Sequence, residues 1–220
     1  MRFVITTILS VAVLAVFISL GSWQMQRLYW KLGVLAEIDA SILAAPVALP
    51  VSPDPVADRF LPVIVAGEIG EGELHVLVSS RDYGAGFRII APFTVDGRRV
   101  MVDRGFVRAV NKDAARTTGP VQITGNLHWP DERDGYTPEN EPDKNYWYAR
   151  EVDVLAAALN AEPVLIIARS DTDPGVTPLP VTSQGIPNDH FEYAMTWFLL
   201  AVTWIVMTAF ALWRMKRATR

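Results

Sequence analysis

The chain has 220 residues, half of them hydrophobic, no cysteine, and a formal net charge of −4. The lack of cysteine excludes disulfides, thiolate metal sites and thiol redox chemistry, including the thiolate ligands usual in copper delivery. Residues 32–190 carry 13 basic and 23 acidic side chains, a net charge of −10 that argues against nucleic acid or an anionic lipid surface as partner and reads most simply as solubility.

Residues 3–23 contain no charged side chain. At 1.5 Å per residue, about 20 residues cross a hydrocarbon core of about 30 Å, and a bilayer interior forces such a run to be helical. The run exceeds the roughly 7–15 residues of a signal-peptide core and leads into Gly21-Ser22-Trp23-Gln24 without an A-x-A cleavage site, so it reads as an uncleaved anchor. The helical pattern continues over 24–45, and Pro46, Pro50, Pro53 and Pro55 end it in a linker over 46–58.

The segment 59–187 reads as a β-rich domain. Runs rich in Val, Ile and Leu at 60–69 and 74–80 predict strands. Those at 87–95 and 98–107 flank Asp96-Gly97, a strong hairpin signal because both turn residues adopt positive φ. Further strands are predicted over 121–129 and 164–169, a polar loop over 131–145 and one helix over 151–160. The expected fold is two transmembrane helices flanking a mainly-β (α+β) domain, an antiparallel sheet or small barrel of about six strands with one covering helix.

The second charge-free run, 193–213, is the other predicted span, within a segment 188–213. Arg214, Lys216, Arg217 and Arg220 follow in a tail over 214–220 with no acid, which the positive-inside rule places in the cytoplasm. Two spans then put the N-terminus there too and the central domain outside. Arg27 and Lys31, at the outer end of the first span, oppose this and call for their own explanation.

Trp23, Arg27 and Trp30 recur at i, i+4 and i+7 and share a helix face, as an aromatic belt with snorkelling cations or as a basic, aromatic patch that meets an anionic amphiphile. At the outer end of the second span, Asp189 and Glu192 form a capping-box-like start, with His190 in the first turn. Tyr193, Ala194, Trp197, Ala201 and Trp204 follow His190 down one face, where the small Ala194 is expected to leave room for a flat ring. A lone interfacial histidine reads either as solvated or as a metal ligand, and imidazole is the commonest axial ligand of haem iron. Taken together the two patches describe a haem site: iron on His190, propionates on Arg27 or Lys31, and ring faces at the level of Trp23 and Trp197. The face from Tyr193 to Trp204 continues the site as an apolar surface.

Four segments, Gly21 to Lys31, Gly84-Ala85-Gly86-Phe87-Arg88-Ile89-Ile90-Ala91-Pro92-Phe93, Val102-Asp103-Arg104-Gly105-Phe106-Val107 and Pro187 to Phe198, resemble the Surfeit locus protein 1 family in order and spacing over nearly the whole chain. The His-x-x-Tyr-Ala-x-Thr-Trp block is the specific part. The resemblance implies a non-enzymatic assembly factor for haem-copper cytochrome c oxidase that, in bacteria, binds haem a and aids its placement in the catalytic subunit. The family's ligand histidine carries over to His190. The implied partners are oxidase subunit I, other oxidase assembly factors, haem a synthase and the lipid bilayer, and the implied location is a bacterial inner membrane with the central domain periplasmic. The family more often has Asn where this chain has Asp103.

Arg104, inside a strand run, reads as solvated or paired, as Arg99 and Asp103 would be across the hairpin. Gly84, Gly86 and Gly105 read as fold determinants. His75 and His128 read as ordinary surface or core residues, far from the spans. Two other classes stand beside the haem reading. One is a cofactor-free scaffold that stabilises an oxidase subunit and has no need of His190. The other is a membrane-tethered hydrolase, against which the sequence shows no Gly-x-Ser-x-Gly elbow and no His-Glu-x-x-His.

Overall fold

A computed structural model describes residues 2–80 and 82–218. Arg81 and Arg220, counted among the basic residues above, lie outside the described residues. The elements in chain order are α1 (Arg2–Ile42), β1 (Pro62–Ile69), β2 (Leu74–Ser80), β3 (Gly84–Val95), β4 (Arg98–Arg108), β5 (Gly119–Leu127), α2 (Val152–Leu159), β6 (Leu165–Ala168) and α3 (His190–Ala218). They divide into two units, one holding the residues up to Glu37 with those from Ser183 onward, the other spanning Ile38–Thr182.

In the first unit, α1 and α3 are, among the described residues, the two helices long and apolar enough to cross a membrane. The 41 residues of α1 run uninterrupted through the predicted extension. At 1.5 Å per residue that is about 60 Å, twice a hydrocarbon core. The helix stops at Ile42, four residues short of Pro46, where the first ring would remove a backbone donor.

In the second unit, β1, β5, β6, β4 and β3 are hydrogen-bonded in that order, and β3 pairs back onto β1 at Glu68↔Thr94 and Ile69↔Phe93 to close a small barrel. β2 extends the sheet beside β3. All pairings are antiparallel except β4 with β6. The Asp96-Gly97 turn joins β3 to β4 with φ of 50° and 76°, the left-handed pair that a two-residue hairpin requires. Val63, Phe93, Val102, Ile123, Leu127 and Ile166 fill the interior. α2 covers the outer face through Leu155, Ala156 and Leu159 against Met101, Leu165 and Ile167. Because both faces are covered, β4 reads as a nearly continuous buried run rather than an alternating one. The linker is tied down as well, since Val47 bridges to Val63 and Pro50 O accepts from Arg98 at 2.8 Å.

Three expectations are corrected. Arg99 and Asp103 do not pair across the hairpin: both lie on β4, Arg99 donates to Leu159 O at 3.0 Å, and Asp103 accepts from Arg88 at 2.7 Å and Arg150 at 3.2 Å. Arg104 does not lie on a solvated face. It is 1% exposed, bonded to Thr172 O at 3.1 Å, with Asp173 Oδ2 at 3.6 Å. β5 ends at Leu127, so His128 follows the strand. Gly105, at φ 121°, admits no side chain, because a Cβ there would sit 2.2 Å from Thr177 O. The Arg104-Gly105 pair therefore fastens the 172–177 segment to β4.

Candidate functional site

The helix pair is built on two matching rows. On α1, Ser10, Leu14, Phe17, Gly21, Gln24, Leu28 and Lys31 repeat at alternating spacings of three and four, and all are withdrawn from solvent. On α3, His190, Ala194, Trp197, Ala201 and Trp204 do the same. That spacing keeps one stripe of each helix facing its neighbour. Small residues let the backbones approach. A Cβ on Gly21 would lie 2.7 Å from the Phe198 ring. Trp204 Nε1 donates to Ser10 O at 3.0 Å, and Phe17 meets Trp197 and Trp204 at centroid distances of 6.0 and 6.3 Å. Rising numbers on α3 meet falling numbers on α1, so the helices run antiparallel.

His190 opens α3, with Asp189 at the N-cap position. Its Nδ1 lies 2.7 Å from Oε1 of Gln24 on α1. An amide oxygen only accepts, so Nδ1 carries the proton, and in the neutral ring the lone pair is on Nε2. A ring held through one nitrogen with the other left basic is the usual arrangement of a ligating histidine. Among the described residues no three His, Asp or Glu side chains converge as a cage for a bare metal ion. A single oriented imidazole suits a metal that brings its own equatorial ligands, which is the chemistry of haem. The donor set fits that group.

The other site residues are placed unevenly. Lys31 Nζ donates to the carbonyl of Pro187, just before α3, which ties the two helices together at the His190 end. Two of its three ammonium donors remain for an acid group. Arg27 is exposed, with its guanidinium 4.2 Å over the Trp30 ring and no ion pair among the described residues. Trp23 and Tyr193 present rings that are 51% and 57% exposed. Trp197 is half-buried against Phe17, and Ala194 is fully buried in the helix seam, so Ala194 leaves no open room for a flat ligand. The face from His190 to Trp204 is the helix contact, and the surface open to an amphiphile lies beside it. Sequence reasoning missed Gln24. The signal was its place on the Gly21-Gln24-Leu28 row, one turn from a glycine that marks a close helix crossing.

Comparison with known proteins gives a consistent result. A sequence model of the SURF1 family matches residues 11–202. Surfeit locus protein 1 of Mus musculus is 30% identical over 203 residues, covering 81% of this chain and 66% of the mouse protein. Surfeit locus protein 1 of Homo sapiens is 31% identical over 208 residues, covering 83% of this chain and 69% of the human protein. A SURF1-like protein of Drosophila melanogaster is 29% identical over 210 residues, covering 83% and 69% respectively. The chain thus spans just under two thirds of the mouse relative's length.

Proposed function

Because the chain belongs to the SURF1 family, we propose that it is a membrane-anchored, non-catalytic assembly factor for haem-copper cytochrome c oxidase that holds haem a on His190 and aids its placement in the catalytic subunit. The observation that carries the haem assignment is the 2.7 Å contact between His190 Nδ1 and Gln24 Oε1, which orients the ring and assigns Nε2 of the neutral imidazole to ligation. When bound, haem a would supply an iron that the His190 imidazole would hold. Arg27 offers a planar pair of donors to a propionate. The exposed rings of Trp23 and Tyr193 offer apolar faces beside the helix seam.

The partners are oxidase subunit I, other oxidase assembly factors, haem a synthase and the bilayer. The proposed location is a bacterial inner membrane with both termini cytoplasmic and the β domain periplasmic, supported by Arg214, Lys216 and Arg217 at the end of α3. An alkaline phosphatase fusion after Pro53 is expected to be active and one after Arg220 inactive; the reverse pattern overturns the topology.

The test of function is His190→Ala in the full-length protein. The expected product is folded and membrane-inserted, with little haem, partial recovery of binding when imidazole is added, and poor loading of the oxidase in vivo. Full haem content with an unshifted absorption band removes His190 as ligand and leaves the cofactor-free scaffold as the better reading.

A further inference from the structure

Within the β domain, a cavity of about 160 Å³ opens. Its lining divides between three nitrogen-bearing side chains, Arg88 on β3, His128 after β5 and Arg150 before α2, and apolar ones that include Ile167, Leu179 and Val181. We propose that this cavity is a binding pocket for the carboxylate of a small aliphatic acid.

The first argument is unused hydrogen-bonding capacity. Arg88 engages Asp103 at 2.7 Å and Leu179 O at 3.2 Å, both through Nη1, so its Nε and Nη2 make no hydrogen bond among the described residues. Nδ1 of His128 is shielded from solvent and has no partner there either. Buried polar atoms of a folded protein are nearly always satisfied, so the orphaned Nδ1 of His128, beside a guanidinium with donors to spare, points to an acceptor that fills the cavity.

The second argument is charge. Asp103 is fully buried and shared by Arg88 and Arg150, and Glu132 is held by Arg150. These two carboxylates balance the two guanidiniums but not Arg59, which also acts on His128. The imidazole is pushed down to about 4 by burial, then by Arg150 and Arg59, with Glu132 opposing and Arg88 adding to the shift. The field at the pocket is positive, as an anion requires.

The third argument is shape and polarity. At about 30 Å³ for each water-sized group, the cavity holds about five of them. A carboxylate on a short hydrocarbon chain matches both the volume and the divided lining, whereas inorganic phosphate leaves the apolar side unfilled.

The test uses the full-length protein in detergent with ¹⁵N-labelled histidine, whose three rings are distinguishable by substitution. Butyrate, butyramide and phosphate are titrated separately at constant ionic strength. The expected result is a saturable, millimolar-range shift of the His128 signals with butyrate alone, while His75 and His190 stay unmoved. Arg88→Lys keeps the ion pair to Asp103 but replaces the planar fork, with its Nε and Nη2 donors, by a single ammonium drawn to Asp103, and is expected to weaken butyrate binding by about tenfold. No saturable shift, an equal shift with butyramide or phosphate, or unchanged binding in Arg88→Lys overturns the proposal.

Discussion

His190 Nδ1 sits 2.7 Å from Gln24 Oε1, a contact between residues 166 positions apart that joins the first turn of α3 to the middle of α1. It sets both the tautomer and the rotation of the imidazole. Outer-sphere partners of this kind typically change metal affinity by about 10–100-fold when removed. Gln24→Leu is therefore expected to lower haem affinity by about tenfold or more while leaving the helices paired. Gln24→Glu, which still accepts, is expected to retain binding with a shifted absorption band. Haem titration of the detergent-purified variants measures this; wild-type affinity in Gln24→Leu shows that the contact only packs the helices.

Arg27 lies one turn beyond Gln24 on α1, its guanidinium 4.2 Å over Trp30. The stacking holds the plane of the fork while leaving its edge free. Arg27→Leu is expected to weaken haem retention on a size-exclusion column. Arg27→Lys is expected to weaken it less, because the charge survives and only the forked hydrogen bonding is lost. Equal retention in both variants and the wild type reduces Arg27 to an interfacial anchor.

The hairpin between β3 and β4 offers a test of the fold alone. Gly97 has φ 76°, and a Cβ added there meets nothing within 4 Å, so any cost of substitution is backbone strain. Gly97→Val is expected to destabilise the β domain by about 1–2 kcal/mol or more, since a β-branched residue resists the left-handed region. Thermal unfolding of the full-length protein followed by circular dichroism should show a midpoint lowered by several degrees. An unchanged midpoint means the turn relaxes to another type.

That hairpin was legible because its determinants are adjacent residues with a strict backbone requirement. The same holds for the α1 stop before Pro46 and for α2. Barrel closure was not legible. It depends on β1 meeting β3 and on the parallel β4–β6 pair, and nothing local in Glu68 or Leu165 specifies either partner. The burial of Arg104 escaped for the same reason, since its acceptors at 172 and 173 lie nearly 70 residues away. His190 was singled out by its position in a specific motif, but the glutamine that orients it was hidden, because a polar residue near a span end resembles any other interfacial side chain. Ala194 was misread as open space: a small residue on a helix signals close approach as readily as room for a ligand.

His128 makes the stability of the β domain depend on pH. Its ring stacks on Phe60 at 5.1 Å and is held neutral, with its titration pushed down to about 4 from 6.5, first by burial and then by Arg150 and Arg59, with Glu132 opposing and Arg88 adding. The unfolded chain binds a proton near pH 6.5 that the folded chain refuses until about pH 4, so the stabilisation is complete above 6.5 and is lost as the pH falls between these values. At about 1.4 kcal/mol per unit, the whole effect is at most about 3.5 kcal/mol, of which about 2 falls between pH 7 and 5, less whatever the residual solvent contact of the half-buried ring screens. His128→Phe keeps the stacking and removes the titration. Unfolding midpoints at pH 7 and 5 should therefore diverge more in the wild type than in the variant, while the carboxylates, which titrate lower, contribute similarly to both. Identical pH dependence in the two proteins would mean that the ring reaches solvent and protonates in the folded state.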